Sequence, residues 1–396
     1  PWQWDRGRIL AAILEMNDLV TGYGFSERGV MFKNIDLLTK QGVPDTSGGG
    51  ARVGRPTAPW WNVREHCAAC LRLYELTGDP GFAQVLYLAN DSSTEGLPWD
   101  LLARGPEAMR AGVRAAIDRH GRSPRVSSVN KREWHIALLR SGRDEHERVA
   151  WLDYDSGGGH GHLDGMNLGL FAHGLDLLPE FGYPPVQFGG WGSARSVWYR
   201  MTAAHNTVVV DGANQTDAAG RTTLWAIGQE VRVMRASAPA MVGGAQYERT
   251  VGLVDVSDED CYVLDIFRVV GGGDHAKFLH SHYGRIATDG LALEAADDYG
   301  HGTQMRNFQV DPQATPGWSV TWAVEDRYGL LEPGAQVHLR YTDLTSGAQA
   351  GIAEAWIVAG IYSSTETAWI PRVLVRRRAE EPPLASTFVG VIEPYA

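Results

Sequence analysis

Ten strand-like runs succeed one another between His205 and Pro394 with no helical pattern between them, and this succession decides the fold class. They are HNTVVVDG (205–212), QEVRVMRAS (229–237), YERTVGLVDVS (247–257), CYVLDIFRVVG (261–271), AKFLHSHYGRIAT (276–288), WSVTWAVED (318–326), QVHLRYTDL (336–344), AEAWIVAGI (353–361), PRVLVRRR (371–378) and STFVGVIEP (386–394). Each is rich in Val, Ile, Thr or aromatic residues, and turns of Gly, Asp and Pro separate them. Parallel strands need crossover helices, which this half of the chain does not supply. A large antiparallel β-sandwich is expected.

The first 145 residues read differently. Residues 5–21 place Ile9, Leu10, Ile13, Leu14 and Val20 at helical spacing, and 26–40, 62–77, 81–88, 106–119 and 132–139 continue in that manner. The stretch 42–59 is too rich in Gly and Pro for regular structure and reads as a long loop. An α+β multidomain chain follows, with a helical domain over 1–145 and the sandwich over 146–396.

Composition narrows the function. With 396 residues, 44% of them hydrophobic, the chain can bury a large core. A net charge of −11, with no basic run beyond Arg376–Arg378, excludes a nucleic-acid surface. No apolar run approaches the roughly 18 residues a membrane span needs, so no membrane partner is expected. Three cysteines make no disulfide framework, and Cys67-Ala-Ala-Cys70 lacks the second pair that a zinc knuckle needs. Trp2, Trp4, Trp60 and Trp61 are read as core aromatics, with a sugar-binding cleft as the alternative. The chain opens at Pro1 without a methionine and is expected to be a processed or truncated form, so the lack of a leader carries no weight.

The chemistry concentrates in 154–212. Gly157, Gly158 and Gly159 lead into His160 and His162, two apart, which on a strand would share a face. Glu180 and His205 follow 18 and 43 residues after His162. Two imidazoles and a carboxylate suit a zinc ion, and a further histidine is left for proton transfer. Asp164 is read first as a cap or as an orienting partner of an imidazole, and second as a ligand.

The segments SGGGHGHLDGMNLGLFAHGLDLLPEFGYP and WYRMTAAHNTVVVDGANQ resemble the heparinase II/III-like polysaccharide lyases, including the oligoalginate lyases, and FVGVIEPY resembles that family's last strand. The resemblance implies an (α/α) toroid, incomplete at its N-terminus here, followed by the antiparallel β-sandwich. It also implies His160 near the catalytic centre and zinc held by His162, Glu180 and His205. The family's acidic ligand is usually aspartate, where this chain has Glu180. Its catalytic tyrosine belongs to a toroid helix near or before Trp2-Gln3-Trp4, whereas the first tyrosine here is Tyr23. The loop Asp45–Ser47 resembles one that follows the later toroid helices, which agrees with an N-terminal truncation.

The activity so implied is β-elimination on a uronic-acid polysaccharide or oligosaccharide, by a periplasmic or secreted protein that is a monomer or a homodimer. His160 is assigned acid/base work or neutralisation of the carboxylate, and Tyr199 the second proton transfer. Asn62, His66, Trp191 and His280 are the candidate substrate-binding residues. The rivals are a glycoside hydrolase, for which Asp153, Asp155, Asp164 and Glu180 are available carboxylates, and a glycan-binding relative without activity.

Overall fold

The computed structural model describes residues 71–396, apart from 73, 77, 91, 98–104, 123–126, 133–134, 143–145, 158–160, 183–187, 328–330 and 359–366. The helices expected over 5–21, 26–40 and 62–77, and the loop 42–59, lie largely or wholly outside these residues, and so does the tryptophan group. The toroid is therefore not among the described features. Two compact units divide the chain, one of residues 1–45 and 49–126, the other of 46–48 and 127–396.

In the first unit, helix α1 spans Gly81–Ala89 and α2 spans Pro106–His120. The sequence explains α2 locally. Proline begins it, where no helical amide partner is lost. Glu107 sits in its first turn, Arg119 and His120 sit in its last, and Gly121 ends it. Its buried stripe of Met109, Val113 and Ile117 packs with Leu71, Leu86 and Leu97.

The second unit is built from three main sheets, and every pairing in them is antiparallel. The eight-stranded sheet runs Gly284–Asp289, Ser319–Val324, Val337–Asp343, Ala385–Tyr395, Cys261–Val270, Gln246–Asp255, Val231–Ser237 and Arg221–Ile227. The six-stranded sheet runs Glu294–Ala295, Met305–Asp311, Gln349–Val358, Thr367–Arg378, Asp274–His280 and Val208–Val210. The five-stranded sheet runs Val129–Lys131, Ile136–Ser141, Arg148–Asp153, Asn167–Ala172 and Leu175–Asp176. One apolar core draws on all three: Leu139 and Leu168 from the small sheet, Val251, Phe267 and Trp322 from the largest, Leu279 and Val373 from the third.

Period 2 is plain where one face is wet. Cys261–Val270 alternates buried and half-buried at every residue. It fails where both faces are covered, and there the sequence reading needs correction. Residues 132–139, expected as helix, include the start of the strand Ile136–Ser141, all six of whose residues are buried. A short apolar run covered on both sides has no alternation to betray it. Sheet structure thus begins at Val129, and the sandwich unit reaches back to residue 127 instead of 146.

Candidate metal centre

His162 does not stand on a regular strand. It closes a tight loop after the short strand Asp155–Ser156, where the Gly157 amide donates to the His162 carbonyl at 2.6 Å. Gly157 has φ +98°, and a Cβ there would fall 2.5 Å from the Asp217 carboxyl carbon, so glycine is required. Gly161 has φ +69°. His162 thus sits in an isolated bridge, and the shared strand face expected for the two imidazoles also involves His160. His160 lies outside the described residues.

Four groups converge behind this turn. The His162 Nδ1 atom is 3.2 Å from His205 Nε2 and 3.5 Å from Glu180 Oε1. The same His205 Nε2 is 3.2 Å from Glu180 Oε2 and 4.0 Å from Asp164 Oδ2. All four side chains are buried, and their ligand atoms lie within 4.8 Å of one another. Donors bound to one ion at zinc–nitrogen and zinc–oxygen lengths in a tetrahedron stand about 3.3 Å apart. Three of the observed separations match that edge. Asp164, weighed as a partner first, joins the cluster, and its carbonyl also accepts the Asn167 amide at 2.9 Å.

Protonation sharpens the fit. His205 Nδ1 lies 2.9 Å from the Met201 carbonyl, which can only accept, so Nδ1 carries the proton there. Nε2 faces Glu180 Oε2 at 3.2 Å, and the contact needs a positive charge between the two atoms. A metal ion supplies it, with the imidazole fixed in the ligating tautomer by its carbonyl partner. Burial alone would push the Glu180 carboxyl up, but His205 and His162 outweigh it and hold it well below the usual range. The cluster has the donor set and dimensions to hold a metal ion.

Residues both near and remote in sequence hold these ligands. The Asn167 amide group reaches Glu180 Oε2 at 3.4 Å and accepts the Asn206 amide at 2.9 Å, while Gly182 N donates to Glu180 Oε1 at 3.0 Å. Arg372, on the strand Thr367–Arg378, donates to the carbonyls of Ala203, Ala204 and His205. Its Nη1 also donates to His280 Nδ1 at 2.8 Å, and His280 Nε2 donates to the Pro179 carbonyl at 3.1 Å. Burial, and then the Arg372 charge, hold His280 well below its usual pKa, which agrees with a neutral ring that accepts at Nδ1. Burial also lowers Arg372, to about 9. None of Asn167, Asn206 and Arg372 was singled out in the sequence, where each stands only within a strand-like or loop segment.

The other expected site residues divide. Trp191 is 47% exposed. His280 is buried with both nitrogens engaged inside the protein, so it braces the site instead of contacting substrate. Tyr199 is buried on helix α3, Ala194–Arg200, and its hydroxyl accepts the Val358 amide at 2.8 Å. With Trp198, whose indole donates to the Trp356 carbonyl at 3.0 Å, it docks α3 on the six-stranded sheet. Tyr199 and Trp198 also line a small pocket shared with Glu180, His205 and Arg372. Asn62 and His66 lie outside the described residues.

Comparison with known proteins agrees with this geometry. Residues 149–328 match the family model described as heparinase II/III-like, C-terminal. An alginate lyase of Stenotrophomonas maltophilia is 25% identical over 241 residues, covering 54% of this chain and 32% of that protein. Among solved structures, a heparinase III superposes with a TM-score of 0.57 at 13% identity, covering 92% of this chain and 46% of that one. A mutant of the heparan sulfate lyase HepC from Pedobacter heparinus gives a TM-score of 0.52 at 14% identity, with the same coverage of 92% and 46%. The chain thus spans under half the length of these relatives, and the structural likeness speaks for the fold alone. Through residues 149–328, the part that carries the buried cluster, the chain is similar to the family described as heparinase II/III-like, C-terminal.

Proposed function

We propose that the chain is the sandwich-bearing part of a polysaccharide lyase that cleaves a uronic-acid-containing polysaccharide or oligosaccharide by β-elimination. The observation that carries this reading is the buried His162, Asp164, Glu180 and His205 cluster, which lies in the region matched to the family model. The relatives' names point to acidic polysaccharides, and a secreted or periplasmic place and an assembly of one or two copies suit such a substrate.

Elimination asks three things of the protein: neutralise the uronate carboxylate, take the weakly acidic C5 proton, and return a proton to the leaving oxygen at C4. His160 is assigned to the proton or to the carboxylate, as the histidine two residues before His162 in the sequence. His162, Glu180 and His205, with Asp164 beside them, are assigned to zinc. A zinc ion bound there would act as a structural clip on the turn. Asn167, Gly182 and Arg372 then keep the ligands oriented, and their own bonds are independent of the reaction.

Two measurements test this. The purified protein is expected to carry about one zinc per chain, and His162→Ala to lose it. A metal-free native protein would remove the zinc assignment. Incubation with a panel of uronic-acid polysaccharides is expected to yield an unsaturated, ultraviolet-absorbing sugar end. New reducing ends without that absorbance would show hydrolysis and overturn the elimination reading.

A further inference from the structure

Helix α3 ends in an arginine that the metal cluster does not use. The Arg200 carbonyl accepts the Leu163 amide at 2.9 Å, which ties the end of α3 to the residue following His162. Its guanidinium lies over the turn itself: Nη1 is 4.0 Å from where a Cβ of Gly161 would stand. Nη2 donates to the Trp191 carbonyl at 3.1 Å. Neither Nε nor Nη1 meets an acceptor, and no carboxylate lies within 4 Å, among the described residues. Arg195 of the same helix differs, because the rings of Phe188 and Trp356 take up its guanidinium, at 5.5 and 4.7 Å. The chain has ample acidic residues, so a half-buried arginine beside a glycine turn without one of them is a placement to explain.

We infer that Arg200 and Trp191 form the subsite for the carboxylate-bearing sugar ring, with Arg200 Nη1 donating to the carboxylate and the exposed Trp191 indole packing on the ring's apolar face. This rests on the substrate class proposed above and deepens it. A guanidinium matches a carboxylate in shape and charge, and partial burial strengthens the pairing. Gly161 adds no side chain on the side of Nη1, where a Cβ would stand 4.0 Å away. Arg200 is thus a specificity-determining residue: it selects sugars that carry an anionic group over neutral ones.

The test compares binding of one uronic-acid oligosaccharide with its carboxyl-reduced counterpart, by titration calorimetry on the wild-type chain, Arg200→Gln and Arg200→Lys. Wild type is expected to prefer the acidic oligomer. Arg200→Gln should weaken that binding roughly ten- to hundred-fold while leaving the neutral oligomer unchanged, and Arg200→Lys should restore part of the preference. Trp191→Ala should weaken both oligomers alike. Equal wild-type affinity for the two oligomers, or an equal loss for both in Arg200→Gln with an unchanged melting temperature, overturns the proposal. If the preference holds and depends on Arg200 yet no unsaturated product forms, the subsite stands and the elimination reading falls.

Discussion

At the scale of single residues, the ligands were legible and their supports were not. His162, Glu180 and His205 stand within 43 residues of one another and in an uncommon glycine-rich setting, so local pattern was enough to find them. Arg372 is 167 residues from His205, and nothing near it in the sequence marks it as part of a site. Its surroundings mark it instead. A buried guanidinium donates to three successive carbonyls, of Ala203, Ala204 and His205, and reaches the Glu180 side through His280 and Pro179. Replacing it with methionine keeps the volume but strands these carbonyls. Arg372→Met is expected to cost at least about 3 kcal/mol, since each buried acceptor left unmet costs about 1–3 kcal/mol. Urea unfolding would measure this. Zinc retained by the folded variant should fall together with stability, because the segment presenting His205 is the one Arg372 holds.

At the scale of elements, strands with one wetter face are legible by alternation and the others only by composition. Cys261–Val270, Val337–Asp343 and Ala385–Tyr395 alternate, whereas Val208–Val210, buried throughout, is legible from its run of valines. Residues 132–139 read as helix because the first four residues of the strand Ile136–Ser141, like the rest of it, are buried and show no alternation. Arg221–Ile227 escaped for the opposite reason: as an edge strand with mostly exposed residues, it shows no buried stripe either. Pairing detail lies deeper still. Trp151 and Gly169 face each other across the strands Arg148–Asp153 and Asn167–Ala172, and the indole occupies the space a side chain would need. A Cβ on Gly169 would fall 1.8 Å from Trp151 Cε2. Gly169→Ala is therefore expected to destabilise the small sheet by about 1–3 kcal/mol or more through overpacking. Thermal unfolding should show the loss, and Trp151→Leu in the same chain should relieve it. If Gly169→Ala melts like wild type, the ring is not fixed over the glycine.

At the scale of the whole molecule, the three sheets meet at a buried charge cluster next to the site. Asp265 of the eight-stranded sheet takes a two-pronged bond from Arg249 of the same sheet, at 2.7 and 2.8 Å. It also pairs with Lys277 of the six-stranded sheet at 2.7 Å. Arg249 further donates to the carbonyls of Met166, at the start of the small sheet's fourth strand, and Asn206, beside His205. Removing the carboxylate charge leaves two buried cations without their counter-ion, so Asp265→Asn is expected to cost about 3–5 kcal/mol at neutral pH. Burial alone would push the Asp265 carboxyl up, but Arg249 and Lys277 outweigh it and hold it far below the usual range. With the folded pKa depressed, the stabilisation is present in full above the unfolded value of about 3.9 and is lost as pH falls below it toward the folded value. Wild-type stability should thus decline steeply below about pH 4, and that part of the decline should be absent in Asp265→Asn. Urea midpoints at pH 7 and pH 3 distinguish the two outcomes. Parallel acid limbs in wild type and variant would mean that this cluster does not govern how the sheets are joined beneath the metal centre.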